Sequence, residues 1–388
     1  MRIVPVSPPV PGSGQNRIVE RARRVAVTLE QCWHRVPGGT ATSILGTVSA
    51  LSLRDDVDVV GVAARHDGPP VGAFEPGVEV RHLPLPRLAL YEAWHALRWP
   101  PVERATGPVD VIHATAVAVP PGKAPLVMTI HDLAFLADPS LVTRHGNRFF
   151  RRGTELARRH ARLVLVPSEA TAAECRLAGF DPERIRVIPW GVEAHPVSEV
   201  EIGAMRDRLG LNRPYVLFVG TIEPRKNLSG VIAAVAGLAG RDIDLVIAGP
   251  EGWNEDLDAR LAVLDGSGIG VHRLGFLPPS DLLPLYAGAA VFCFPSIREG
   301  FGMPVLDAMA HGAPVVTSRG TATEEVAGDA GILVDPLDPS AIGVALEAVL
   351  DDPARADRMR AAGRERAEQF TWSRTAALTA AAYAEVAP

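Results

Sequence analysis

The sequence has few of the features that would assign it to a disulfide scaffold, a membrane or nucleic acid. Its three cysteines, Cys32, Cys175 and Cys293, are too few and too scattered for a disulfide framework or a metal knot. No apolar run approaches the roughly 20 residues that span a bilayer, and the first residues lack the short apolar core of a signal peptide. Positive charge is not in excess, since 39 Lys and Arg stand against 45 Asp and Glu, so nothing pushes the chain toward nucleic acid. The expected setting is a reducing cytoplasm. Also missing is a strand-linked G-x-G-x-x-G. Pro11-Gly12-Ser13-Gly14 follows no strand, and Arg17 stands where the third glycine belongs, which disfavours a dehydrogenase. No Asp-x-Asp stands at a strand end to hold a catalytic cation, so no metal or other cofactor is expected.

What is present is length and rhythm. At 388 residues and 47% hydrophobic, the chain is long for one core and comfortable for two. Residues 1–23, rich in Pro, Gly and Arg, read as a flexible extension. Short apolar, largely β-branched runs follow at Arg24–Leu29, Val57–Val62, Val109–His113, Leu126–Ile130 and Leu163–Ser168, with helical or loop material between them. Arg186–Val192 closes this set, and Glu193–Arg213 suits a connection. A second set begins at Tyr215–Gly220 and continues through Ile243–Pro250, Val271–Phe276, Ala289–Phe294 and Ala313–Ser318. The alternation predicts an α/β protein with parallel sheets covered by helices. Ligands in such sheets sit at the carboxyl ends of the strands.

The stretch on which the rest turns is Phe294–Gly312, FPSIREGFGMPVLDAMAHG. A buried strand ends in a loop carrying Glu299, and Gly302-Met303-Pro304 opens a helix that Gly312 stops. Uncapped amides at such a start seat phosphate or other anionic oxygen. A carboxylate beside a phosphate is out of place, so Glu299 is expected to accept from hydroxyls or to balance a cation, with Asp307 as a second acceptor. That combination suits a polyhydroxyl ligand bearing phosphates, which describes a nucleotide sugar. The alternative is that both acids simply answer the helix dipole.

Three further places carry candidate chemistry. After Tyr215–Gly220, Thr221-Ile222-Glu223-Pro224-Arg225-Lys226-Asn227 puts Arg225 and Lys226 side by side at a strand end. A planar fork and a point charge there suit a diphosphate, and a solvent-facing basic pair is the alternative. His131 stands directly after Met128-Thr129-Ile130, and His113 ends an adjacent strand. Arg144–Arg162 is a basic amphipathic helix; it is expected to be a solvated exterior, with contact to an anionic membrane face as the alternative.

The chain's EGFGMPVLDAMAHGAPVV resembles the Glu-x7-Glu motif of retaining glycosyltransferases of the GT-B fold, closest to family four, usually E-G-F-G-x-P-x-x-E-A-M-A-x-G-x-P-V-V. Asp307 replaces the second Glu. HDLAFLADP and GTIEPRKN resemble the segments of that family that carry its donor-side histidine and its phosphate loop, although many members have Arg where this chain has Thr221. The resemblance runs from Arg24 onward. It implies two Rossmann-like domains facing a cleft, 24–192 plus 372–388 for the acceptor and 193–371 for the donor, with a closing helix that crosses back to the first domain.

The resemblance also implies roles. Glu299 contacts the donor sugar and Asp307 the ribose, while the backbone of Gly300, Phe301, Gly302, Met303 and Pro304 lies along sugar and phosphate. Thr221, Arg225 and Lys226 hold the diphosphate, and His131 reaches the sugar beside the reacting carbon. Gly39, in the first glycine loop, lies near the donor phosphate. Trp33 and His34, with His113, are candidates for the acceptor side, with packing of the loop as the alternative for the first two. The implied activity is retaining transfer from a nucleotide diphosphate sugar to an acceptor hydroxyl. A nucleotide-sugar epimerase of the same fold and a non-catalytic sugar-nucleotide-binding protein are the rivals. Base, sugar, acceptor and oligomeric state are not written in the sequence.

Overall fold

The computed structural model describes residues 21–34, 38–70, 72–252 and 256–387. The expected N-terminal extension therefore lies, through residue 20, outside the described residues. Among these, the first sheet is built from Arg23–Thr28 (β1), Val57–Ala63 (β2), Val80–His82 (β3), Val111–Ala114 (β4), Leu126–Thr129 (β5), Ala161–Val166 (β6) and Ile185–Val187 (β7). Its order is β3-β2-β1-β4-β5-β6-β7. The second sheet uses Tyr215–Val219 (β8), Asp244–Ala248 (β9), Gly270–Gly275 (β10), Val291–Phe294 (β11), Val315–Ser318 (β12) and Ile332–Val334 (β13). Its order is β10-β9-β8-β11-β12-β13. Every pairing of named strands is parallel.

Helices cover both faces of each sheet, which is why β4 and β11 are buried at every residue and read as unbroken apolar runs. In the first sheet the period of two sorts side chains cleanly. Val25, Val27, Val127, Leu163 and Leu165 face one core, while Ala26, Met128, Val164 and Val166 face the other. Both sheets are doubly wound, and each order reverses once, between β1 and β4 and between β8 and β11.

The closing helix, Trp372–Val386, returns to the first sheet as expected. It buries Thr375, Ala376, Thr379, Ala380 and Tyr383, a stripe at helical spacing, beside the Gly38–Ser52 helix. Gly46 admits the Trp372 ring, which a β-carbon there would approach to 2.5 Å. Where the chain crosses between sheets, the Val192 amide donates to the Phe370 carbonyl at 3.0 Å, tying the two crossings together.

Several boundaries differ from the sequence expectation. The first helix starts at Gly38, so Gly39 lies inside it and not in a loop ahead of it. The basic helix spans Arg144–His160, and Arg162 belongs to β6. Glu155 on that helix pairs with Arg158 and Arg159, and its buried side is Gly153, Thr154 and Ala157. Among the described residues no helix is long and apolar enough to cross a membrane.

Gly191 lies so close to the second crossing that a β-carbon would sit 2.2 Å from the Trp372 nitrogen and 2.5 Å from the Thr371 carbonyl carbon. Backbone cannot yield as a flexible side chain does, so Gly191→Ala is expected to destabilise the fold by about 1–3 kcal/mol. Calorimetry should record a lower Tm, and an unchanged Tm would contradict this crossing.

Candidate active site

The site is assembled at the reversal of the second sheet, where loops after β8 and β11 lie side by side at the carboxyl ends of the strands. After β8, Pro224–Lys226 makes a single tight turn, ended by Asn227 at φ 59°. The Asn227 side chain caps the following Leu228–Ala236 helix and also donates to the Pro295 carbonyl at 3.0 Å. The Ile297 amide donates to the Arg225 carbonyl at 2.8 Å. These bonds hold the basic loop and the acidic loop in register.

Glu299, Arg225 and Lys226, far apart in sequence, meet there. Lys226 Nζ pairs with Glu299 Oε1, Arg225 Nη1 lies 3.3 Å from Glu299 Oε2, and the Ser296 hydroxyl is 2.9 Å from Oε1. Burial alone would raise the Glu299 carboxyl, but the Lys226 and Arg225 charges and the hydrogen bonds from Lys226 and Ser296 outweigh it and hold the pKa below the usual range. Burial also draws the Lys226 ammonium down, against the pull of Glu299. Arg225 has a second partner, Glu223, at 2.7 Å, a buried carboxylate that desolvation pushes up. The Lys226 ammonium stands 5.2 Å from the Phe294 ring centre.

The Met303–Ala310 helix follows, with Gly302 at φ 108° and no side-chain cap on its first turn. Gly302 is doubly required, because a β-carbon would also meet Thr323 at 2.8 Å. Pro304 sits in that first turn, and Gly312, at φ 75°, follows the helix end. Asp307 makes no side-chain hydrogen bond or ion pair among the described residues, and burial pushes its carboxyl up to about 7.

The first sheet contributes His131, in the loop after β5. Its Nε2 lies 2.8 Å from the Thr115 carbonyl, which can only accept, so Nε2 carries the proton and Nδ1 presents a lone pair. That Nδ1 is buried without a partner, and burial lowers the ring's pKa, so the imidazole is neutral. The charge of Asp132 beside it adds to the rise of the Glu223 carboxyl and to the hold of Arg225 on its proton. Gly300 touches the His131 backbone: a β-carbon on it would sit 1.8 Å from the His131 carbonyl oxygen. An aromatic row of His131, Trp190, Phe301 and Phe370 lies alongside, with centroids 5.2–6.0 Å apart.

The other expected residues are placed differently. The Phe301 side chain is buried in that row, so only its backbone is left to face a ligand. His113, expected on the acceptor side, sits at the buried end of β4. It is fully buried, Nδ1 is 2.7 Å from the Tyr383 hydroxyl and Nε2 is 2.8 Å from Thr129, so neither ring nitrogen is free, and burial lowers its pKa to about 3. Trp33 stacks on His66 at 4.7 Å, which in turn lies 2.9 Å from the buried Glu30. His34, lowered to about 4 by burial, keeps an unpaired Nε2. Gly39 is exposed in the first turn of its helix, with open space around it. Thr221 is half-buried against Gly252. Glu223, Ser296 and Trp190 were missed; only Glu223 left a local trace, as an acid two residues before Arg225.

Comparison with known proteins agrees with this geometry. The family model of glycosyl transferases group 1 matches residues 204–366, and that of Glycosyltransferase Family 4 matches residues 37–195. The chain belongs to the group 1 glycosyltransferases, of the family four type, which transfer a sugar from a nucleotide sugar to an acceptor. It is 32% identical over 359 residues to the D-inositol 3-phosphate glycosyltransferase of Acidothermus cellulolyticus, covering 82% of this chain and 79% of that one. It is also 32% identical over 264 residues to O-antigen chain mannosyltransferase B of Escherichia coli, covering 66% of this chain and 69% of that one. In fold it is similar to Anabaena HepE, crystallised with UDP and glucose, with a TM-score of 0.74 and 21% identity over 94% of this chain and 100% of that one. These relatives favour transfer over the epimerase and the non-catalytic readings.

A carboxyl with a pKa of about 7 in the folded state keeps a proton that the unfolded chain releases near pH 4. Its contribution to stability is therefore present at low pH and lost as pH rises through about 7. Asp307→Asn, which cannot ionise, should raise Tm relative to the parent at pH 8 and change it little at pH 4. Thermal melts at the two values check this; an equal shift at both would show that Asp307 is not desolvated.

Proposed function

We propose that this chain is a retaining, metal-independent transferase that moves a sugar from a nucleotide diphosphate donor to an acceptor hydroxyl. The observation that carries the reading is the meeting of Arg225, Lys226 and Glu299 at the reversal of the second sheet, facing the His131 loop. Two cations and an uncapped helix start supply the positive field that a departing diphosphate needs, without calling on a metal ion. On this reading the chain divides into an acceptor domain, 24–192 with 372–388, and a donor domain, 193–371. The UDP and glucose of HepE and the phosphorylated inositol named for the Acidothermus relative agree with such a donor and with a hydroxyl acceptor.

Glu299 is unsuited to be a base or an in-line nucleophile, because two cations hold it ionised and engaged. It instead accepts from donor sugar hydroxyls while balancing Lys226. His131 offers its Nδ1 lone pair to another hydroxyl of the same sugar. Asp307, uncommitted and desolvated, accepts from the ribose. With no group among the described residues assigned to form a covalent intermediate, the acceptor oxygen attacks from the face the diphosphate leaves. The anomeric carbon–phosphate oxygen bond breaks, the new carbon–oxygen bond forms on the same side, and the acceptor proton passes to the departing phosphate.

A panel of UDP-, GDP-, ADP- and TDP-sugars, screened by thermal shift and then for acceptor-dependent release of nucleoside diphosphate, tests the assignment. Glu299→Gln and Lys226→Ala should each lower kcat/KM about 100-fold. Unchanged kinetics in both would remove the site. The product should carry the donor's anomeric configuration in proton NMR, and inversion would overturn retention. Transfer should persist in excess EDTA, and strict dependence on a divalent ion would overturn the metal-free part.

A further inference from the structure

We propose that Ser168 and Thr171 are positioning residues for the transfer, acting as a clasp that fastens the Gly300 carbonyl of the donor loop to the first domain. The proposal rests on the transferase reading above. Ser168 Oγ donates to the Gly300 carbonyl at 2.7 Å and Thr171 Oγ1 at 3.0 Å. Both hydroxyls and Gly300 are buried. A carbonyl has two lone pairs, and here each is taken by a hydroxyl from the other domain.

The same helix is completed across the cleft. The Glu169–Leu177 helix caps its Thr171 amide with its own Ser168, but its Glu169 and Ala170 amides donate to the Glu325 carboxylate of the second domain, at 2.8 and 2.6 Å. First-turn amides have no partner within a helix, so two of them depend on the opposite domain. Arg298, next to Glu299, adds an ion pair to Glu174 at 3.3 Å, and Glu174 in turn accepts from the Leu133 amide in the His131 loop at 2.9 Å.

Gly300 is thus held from two directions. Its neighbour Glu299 is tied to Lys226, Arg225 and Ser296 within the donor domain, while its own carbonyl is tied to the first domain. The peptide between them sets the Glu299 carboxylate, which this reading assigns to the donor sugar, against His131, whose carbonyl Gly300 touches. Every bond of the clasp is one that water can replace, so opening the cleft exposes no uncompensated group and closing it restores the register.

The test uses Thr171→Val, the Ser168→Ala/Thr171→Val double variant, and Thr171→Ser as the conservative control. Small-angle scattering of the ligand-free chain should show a larger radius of gyration for the double variant than for the parent; an unchanged radius overturns the clasp. With the panel donor that the parent turns over, Thr171→Val should lower kcat at least 10-fold while donor KM stays within twofold, and Thr171→Ser should recover most of it. Loss of kcat that follows a fall in Tm and is not recovered by Thr171→Ser, or a kcat within twofold of the parent, overturns the positioning role. If the double variant fails to fold, Thr171→Val is scored on both readouts. A parent that turns over no donor defeats the transferase reading and with it the positioning role; the scattering result then still decides whether the clasp exists.

Discussion

The arrangement depends on keeping one buried carboxylate ionised. Glu299 lies where an isolated charge would be expelled by desolvation, and it stays charged because Lys226 and Arg225 are delivered to it by a different strand. The dependence is mutual: Lys226 is itself almost fully buried, and the Glu299 charge opposes the burial that draws its ammonium down. Removing one member of such a buried pair typically costs about 3–5 kcal/mol. The loops after β8 and β11 are therefore fastened to each other by electrostatics as well as by the Asn227 and Ile297 hydrogen bonds. Under the proposed function, a polyanionic donor entering that crevice meets cations already arranged, each shared with a buried carboxylate.

The first domain answers with neutral groups. His131 is held uncharged and in one tautomer by the Thr115 carbonyl, and the ring is wedged against Trp190. Under the proposed function this division of labour is physically economical: the field for a leaving diphosphate comes from one domain, and the oriented lone pair for the sugar comes from the other. The closing helix makes the division durable, since Tyr383 and Thr375 pin it to His113 and Pro189 of the first domain. His113 thereby serves as a structural anchor.

The strands and the central motif were legible because their physics is local. Strands buried on both faces are uninterrupted apolar runs, and a proline after a glycine marks a helix start wherever it occurs. The edge strand β3 was not visible, since Val80, Arg81 and His82 are largely exposed and carry no alternation to read. β13 has only three residues. Within the site, the residue types of Glu299, Arg225 and Lys226 foretold their chemistry, but their pairing did not follow from spacing alone, because it depends on which strands become neighbours. Glu223 looked like any loop acid until burial set it beside Arg225. Ser168 was readable only as the end of an apolar run, and its bond to Gly300 spans 132 positions and has no sequence signature.

The glycines of EGFG show how one motif answers two constraints. Gly302 is needed for its backbone angle, which side chains rarely adopt, and the helix start depends on it. Gly300 has no such angle; it is needed because the other domain's backbone lies where its β-carbon would be. A motif read as a donor-binding loop therefore also encodes how closely the two domains approach. Any larger residue at position 300 would keep the carboxylate and the cations of the second domain and still hold His131 away from them, so contact between domains is as much a part of this site as the charges within it.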